Sequence, residues 1–499
     1  MSTGVSKQPR TVRRDSRSTV SNSTDWSGMS GTDGLIEEQS YYPDPNYSTL
    51  FDHPDTPEYI TYTTEAGCDF KIIQMATLEK CLQTMFSKSF NDGYFQECFI
   101  LAYRLVTTPE RLLDLIGILF DPVIPEGMDW DTFVKEVVTP LRLKIMNFVR
   151  TWLKNAWKDF EGKDELIDKL QQLIERFKQF SSKMGTNINK QLELKIAHVE
   201  AKSEESSMPG IKITQLEKNE KYVNVLQYHP AEFARQISYL QNNIFRKIPY
   251  YEFLGNGWTK KDKETLTPQI MRLVHSTQRL FGYVQTTILA VNDVSKRAIL
   301  LHYFLVVADE MRKLNNFEGM KAVYSALMST PIFRLKDTWD SITTEDKEIN
   351  GRLSELCDQA KNFSKLREVM KIAVSPCIPF LGSTMGDLVF ADDGNKRVGE
   401  DKLLINWFKV RQIGNLIKEI MVKQAVAYPF RKYDSLVEYY SGAPVLEDEE
   451  QMYDLSVSLE EKRGEMNSDL EKKISKLKKD GHAAVKKYVK FYSKADGSK

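Results

Sequence analysis

The tetrapeptide Asp392-Asp393-Gly394-Asn395 sets two carboxylates beside two residues that suit a left-handed bend. Taken alone it is an ordinary solvated turn. Little else in the chain suggests reactivity. The six histidines (His53, His198, His229, His275, His302, His482) show no HExxH or other zinc spacing. His275 and His302 fall in apolar helical patterns and are expected as satisfied core histidines. The sequence contains no GxxxxGK[ST] phosphate loop, no GxGxxG after a strand and no GxSxG elbow. These residues support no bond-making enzyme, and neither a metal nor a cofactor is expected. Helical domains without such chemistry bind partners.

With 499 residues, the chain is too long for one ordinary core. Its 69 basic and 69 acidic residues balance, so nothing pulls it as a whole toward nucleic acid or a membrane, and any electrostatic function must be local. The five cysteines (Cys68, Cys81, Cys98, Cys357, Cys377) form no CxxC pair, which fits buried thiols in a reducing compartment. The N-terminus lacks a signal-like apolar stretch, no run approaches the roughly 20 apolar residues of a membrane span, and no CaaX box is present. A cytoplasmic protein is expected.

The elements that would hold these residues are helical. Residues 1–58 are expected to be disordered or irregular, since residues 1–40 are rich in Ser, Thr, Gly and Arg and residues 41–60 carry four prolines. Helical periodicity begins at Ala76–Phe86, with Thr77 as N-cap, Leu78, Leu82, Met85 and Phe86 on one side, and Glu79 and Lys80 outward. Thr107-Thr108-Pro109-Glu110 stops one helix and starts the next, with proline at the first helical position and acid in the first turn. The block 59–180 reads as an all-α domain. Residues 181–225 turn polar and read as a linker, partly helical. A second helical block, 226–460, carries the stripes Leu300-Phe304-Val307-Met311-Leu314 and Ile413-Leu416-Ile417-Ile420. The tail 461–499 has ten lysines against three acids from Glu471 on, and reads either as solvated chain or as a basic amphipathic helix for an anionic lipid surface.

The second block resembles the CDC25-homology catalytic domain, the exchange factor for Ras-type GTPases, over nearly its full length. The matching segments come in order: Pro230–Gln236, Phe245–Ile248, Asn292 with Lys296-Arg297-Ala298, Leu314–Phe317, Ser329–Leu335, Asn362-Phe363 with Arg367, Pro376–Gly382 and Leu455–Glu460. The first block is similar to the Ras exchanger motif domain through Ala76–Leu82, Phe99–Leu113 and Arg142–Phe160. The resemblance implies an all-α fold of two domains, a protruding helical hairpin, and guanine-nucleotide exchange on a Ras-subfamily GTPase of the Ras, Rap or Ral group.

The resemblance also assigns residues. Val389, Asp393 and Asn395 map to the hairpin tip that enters the GTPase's magnesium and phosphate site. Gly394-Asn395 would make the bend. Asp393 would set a carboxylate against the cation's neighbours, and Val389 would crowd the metal position. The family's acid there is usually Glu and its aliphatic residue often larger, so this wedge is shorter. Asn315, Asn316, Met328, Phe333, Arg334 and Phe363 would line the groove for the GTPase's switch segments, with Arg334 expected to brace an acid inside the domain. The shortened wedge leaves a second reading open, a non-catalytic adaptor that binds a GTPase without exchange. Recruitment to the plasma membrane through the tail is a third element left open.

Overall fold

The computed structural model describes residues 41–64, 70–197, 225–394 and 404–460. Helices dominate, in two blocks, and the core of the first also takes in side chains from several helices of the second.

The first block opens with the antiparallel strands β1 (Ile60–Thr63) and β2 (Ile72–Ala76). Helices α1 (Leu78–Phe86), α2 (Gly93–Ala102), α3 (Pro109–Leu119), α4 (Thr139–Asn155) and α5 (Asp164–Phe180) follow. Local chemistry sets their ends. The Thr77 hydroxyl accepts the Lys80 N–H at 3.2 Å, and Thr108 accepts that of Arg111 at 3.3 Å, with Pro109 at the first position and Glu110 in the first turn. Trp152, Phe99, Tyr103 and Phe148 pack mostly edge-on and tilted against one another in the middle of this core. Lys80 departs from the expected outward position. It is buried, its ammonium reaching the His53 carbonyl at 2.6 Å and Asp55 at 2.5 Å while its stem packs inside. Helix α6 (Ser182–Ile196) occupies the first part of the polar stretch read as a linker and buries Ile188 and Leu192 in the same core. Gly185 allows its close approach to α5, since a Cβ there would lie 2.6 Å from the Lys178 backbone nitrogen.

The second block comprises α7 (Pro230–Phe245), α8 (Pro268–Leu289), α9 (Val294–Lys313), α10 (Phe317–Leu327), α11 (Thr344–Cys357), α12 (Ser364–Ile372), α13 (Leu381–Asp393), the two-residue strand β3 (Ile405–Asn406), α14 (Trp407–Gln424), α15 (Asp434–Gly442) and α16 (Glu449–Leu459). Leu300, Phe304, Val307 and Met311 of α9 are buried at its centre as their spacing predicts, with Phe233 and Tyr283 packed around Phe304. His275 and His302 are not core residues. Both are about half exposed, and they face Glu264 and Asp346 at 3.1 and 2.6 Å.

Helix α14 ties the blocks together. Its Trp407, Val410, Ile413, Ile417 and Ile420 belong to the core of the first block, not to the one around α9. Strand β3 pairs antiparallel with β2, completing a three-stranded sheet that the sequence periodicity did not announce. The Trp407 indole donates to the Ala76 carbonyl at 3.0 Å and stacks 5.4 Å from Phe99. Arg411 pairs with buried Asp92, and Lys418 with Glu97. Gly414 lies against the α2 backbone so closely that a Cβ would meet the Cys98 carbonyl oxygen at 2.3 Å. A second junction centres on Asp159, fully buried in the first block. It accepts from Tyr103 at 2.5 Å and Trp152 at 2.7 Å, pairs with Arg104 at 2.6 Å, and accepts from Tyr250 of the second block at 2.5 Å. Burial and the neighbouring carboxylate hold both tyrosine hydroxyls protonated far above the usual phenol range.

Candidate functional site

The face of α13 follows from its burial pattern. Leu388 and Ala391 point into the core, Val389 is half-buried, and Asp393 is exposed. Val389 and Asp393 stand four residues apart, so they share one side of the helix. Phe390 projects 79% exposed beside Val389. The sequence reading passed over it; its signal was an aromatic with no apolar partner at helical spacing on the outer side.

Neighbours grip α13 along its length. At its first residue, the Leu381 N–H donates to Glu318 Oε2 at 2.9 Å, while Thr277 Oγ1 donates to Glu318 Oε1 at 2.9 Å. Burial pushes the Glu318 carboxyl above the usual carboxylate range, and these two donors only partly oppose it. Midway, Arg367 of α12 binds Asp387 through both guanidinium arms, at 2.5 and 3.0 Å. At the last turn the Lys409 ammonium reaches the Asp392 carboxylate at 2.7 Å and its main-chain carbonyl at 2.6 Å, and Asn256 donates to the same carboxylate at 3.2 Å. The end of α13 therefore adjoins the start of α14. Gly394 does not adopt the expected left-handed conformation. It continues the helical turn at φ −69°, its N–H donating to the Phe390 carbonyl at 2.8 Å. Asn395 lies outside the described residues, as does the lysine-rich stretch 471–499.

The groove residues divide in two. Asn316 is fully buried and presents nothing to a partner. Its Oδ1 caps α10 by accepting the Gly319 N–H at 2.9 Å, and its Nδ2 binds Ser238 and Gln241 at 3.0 and 2.8 Å. Arg334 also works inside the domain, as expected, but its partners are the Ser456 and Glu460 carbonyls at 2.7 and 2.8 Å, not a carboxylate. The remaining four reach the surface. Asn315 is left-handed at φ 57° and donates to the Val374 carbonyl at 3.1 Å. Phe333 is half exposed, with Lys336 4.1 Å above its ring. Met328 lines a cleft of about 600 Å³ with Lys321, Tyr324, Ser354 and Cys357. Phe363 sits beneath Lys321 at 5.2 Å and packs edge-on to Phe380 at 5.4 Å, so Lys321 brings Met328 and Phe363 to one place. Lys361, Asn362 and Phe363 are three successive residues at positive φ, a conformation that costs energy for a bulky side chain and that clusters at binding surfaces.

Among the described residues no group of three or more His, Cys, Asp or Glu is placed to hold a metal, and no helix is long and apolar enough to cross a membrane. The arrangement offers a braced helix end with apolar and acidic side chains turned outward, beside a cleft edged by a strained aromatic. Such a surface can displace and bind.

Residues 232–411 match the RasGEF domain, and residues 72–180 match the RasGEF N-terminal motif. The chain is 30% identical over 317 residues to Ras-specific guanine nucleotide-releasing factor 2 of Danio rerio, covering 64% of this chain and 25% of that protein. It is 27% identical over 399 residues to Ras guanine nucleotide exchange factor P of Dictyostelium discoideum, covering 76% and 25%. It is 26% identical over 426 residues to cell division control protein 25 of Saccharomyces cerevisiae, covering 79% and 27%. The chain thus spans about a quarter of the length of these relatives.

Proposed function

From its membership of the RasGEF family, with a RasGEF domain behind a RasGEF N-terminal motif, we propose that this chain is a guanine-nucleotide exchange factor for a Ras-subfamily GTPase. The observation that carries the reading is α13. It is fixed at both ends and along its length, yet turns Phe390 and Asp393 outward, with Val389 half-buried between them.

The mechanism is differential binding. A GTPase holds its nucleotide through a phosphate loop, a magnesium ion and its switch segments. Val389 and Phe390 would bring apolar surface to the magnesium position, which is poor surroundings for a hydrated ion. Asp393 would bring negative charge toward the phosphates. Both favour the empty GTPase, and by linkage the nucleotide's affinity falls by the factor by which the exchanger prefers the empty form. No covalent bond is made or broken, and release is speeded for GDP and GTP alike. Asn315, Met328, Phe333 and Phe363 would hold the switch segments, while Asn316 and Arg334 would shape that surface from beneath.

The test is release of fluorescent GDP from Ras, Rap, Ral, Rho and Rab GTPases with and without the full chain. Acceleration confined to one member of the Ras subfamily is the expected result and names the substrate. A stable complex with a GTPase that keeps its GDP would replace exchange with the adaptor reading, which the shorter Asp393 and Val389 motivate. We further propose that residues 465–499 attach the protein to anionic lipid. Cosedimentation with phosphatidylserine vesicles should be lost when they are removed.

A further inference from the structure

We propose that Glu318 and Lys409 are positioning residues that clamp α13 at its two ends and join it to the switch-binding groove. The inference rests on the exchange reading for its consequence, but its geometry stands apart from it.

Glu318 is 7% exposed, and its two partners, the Thr277 hydroxyl and the Leu381 N–H, are both neutral. Burying a carboxylate with neutral partners costs stability, and a fold alone would be served as well by an amide or an apolar side chain. What the carboxylate gains is its place at the first turn of α13, where unpaired N–H groups and the positive end of the helix dipole favour an acceptor. Lys409 is the counterpart. It is 4% exposed and binds the Asp392 carbonyl in the last turn, where the dipole favours a cation. The 13 residues of α13 thus lie between a carboxylate and an ammonium, each of the sign its end prefers.

The two clamps come from different parts of the molecule. Lys409 begins α14, which is packed into the first block. Glu318 lies in the first turn of α10, whose other end is Met328 at the 600 Å³ cleft. The backbone strengthens this second link. The Phe317 N–H donates to the Ile378 carbonyl at 2.9 Å, and the Ile378 N–H to the Asn315 carbonyl at 3.0 Å, a parallel bridge just ahead of α13. A GTPase seated against α10 therefore presses on an element that holds the base of the wedge. Displacing reacting groups by about 1 Å is enough to cost a rate on the order of 100-fold.

The experiment uses the full chain with Glu318→Leu, Glu318→Gln, Thr277→Val and Lys409→Met. It reads GDP release at saturating and limiting GTPase, amide hydrogen exchange across Leu388–Ala391, and the unfolding midpoint. Glu318→Leu and Lys409→Met should each lower the maximal rate about tenfold with little change in the half-saturating concentration, and should speed amide exchange in α13 but not in α9. Glu318→Gln should restore most of the rate, because its amide oxygen can still accept the Leu381 N–H. Thr277→Val tests the same clamp more mildly and should fall between wild type and Glu318→Leu. Unchanged α13 protection in folded variants would overturn the clamp, as would an equal loss of protection in α13 and α9. Wild-type protein that fails to speed GDP release would defeat the exchange reading instead, leaving amide exchange to decide the clamp.

Discussion

Gly414→Ala is the sharpest test of how the first block supports the wedge. The new Cβ would lie 2.3 Å from the Cys98 carbonyl oxygen and 2.7 Å from its carbonyl carbon and Cα. All three are backbone atoms and cannot rotate away, so α14 must retreat from α2 by about 1 Å to reach ordinary contact. Overpacking of this kind costs about 1–3 kcal/mol, against which alanine gains about 1 kcal/mol over glycine inside a helix. The net loss of stability is therefore small, about 2 kcal/mol at most by the same estimates. The retreat also moves Lys409 and the end of α13 it holds, and an error of 1 Å there carries a rate penalty of up to about 100-fold. GDP release should consequently fall far more than the unfolding midpoint does. Gly351→Ala is the control. That glycine is on the exposed side of α11 with nothing within 4 Å of its would-be Cβ, so the change should stabilise slightly and leave exchange alone. If Gly414→Ala behaved like Gly351→Ala in both assays, the account of the brace would be refuted.

Other substitutions probe separate parts. Asp159→Asn removes the charge that Arg104 faces and turns one of the two oxygens that accept from Tyr103, Trp152 and Tyr250 into a donor; calorimetry should show a loss on the order of 3 kcal/mol and a less cooperative transition between the two blocks. Val389→Ala with Asp393→Ala should cut GDP release strongly while lowering circular dichroism melts only slightly, since Asp393 is exposed and Val389 is half-buried against the core. Phe333→Ala should raise the GTPase concentration needed for half-maximal exchange with little effect on folding, because the ring is 50% exposed. Burial raises the Glu460 carboxyl, but its bonds to Thr338 and Arg297 outweigh that and hold it below the usual carboxylate range. Its stabilising effect is then full above the ordinary glutamate pKa of about 4.3 and is lost as pH falls through the lower folded value. In acid titrations followed by fluorescence, Glu460→Gln should lessen the stability lost on acidification.

What could be read from the sequence was whatever depends on near neighbours in the chain. The Thr77 cap, the helix restart at Pro109 and the α9 stripe all follow from contacts within a few residues, and the structure has them where their spacing places them. The features that escaped are set by distant partners. Lys80 turns inward because the His53 carbonyl, 27 residues away, waits for it. Strand β3 is two residues long and exists only because β2 offers an edge, so no periodicity could reveal it. Among the site residues, Val389 and Asp393 share one helix side as four-residue spacing requires. That Asn316 is consumed by Ser238 and Gln241, or that Glu318 reaches Leu381, depends on elements at least 60 residues apart in the chain.

The shared core has a consequence during synthesis. The first block ends its last long helix near residue 196, yet Trp407, Ile413, Ile417 and Ile420, which complete its interior, emerge from the ribosome about 210–220 residues later. At about 5–20 residues per second that delay is on the order of 10–50 s. Throughout it the face of α2 that will receive α14 stays open to water or to a chaperone. The nascent chain is at its most vulnerable to aggregation after its first domain has been made and before its second is finished.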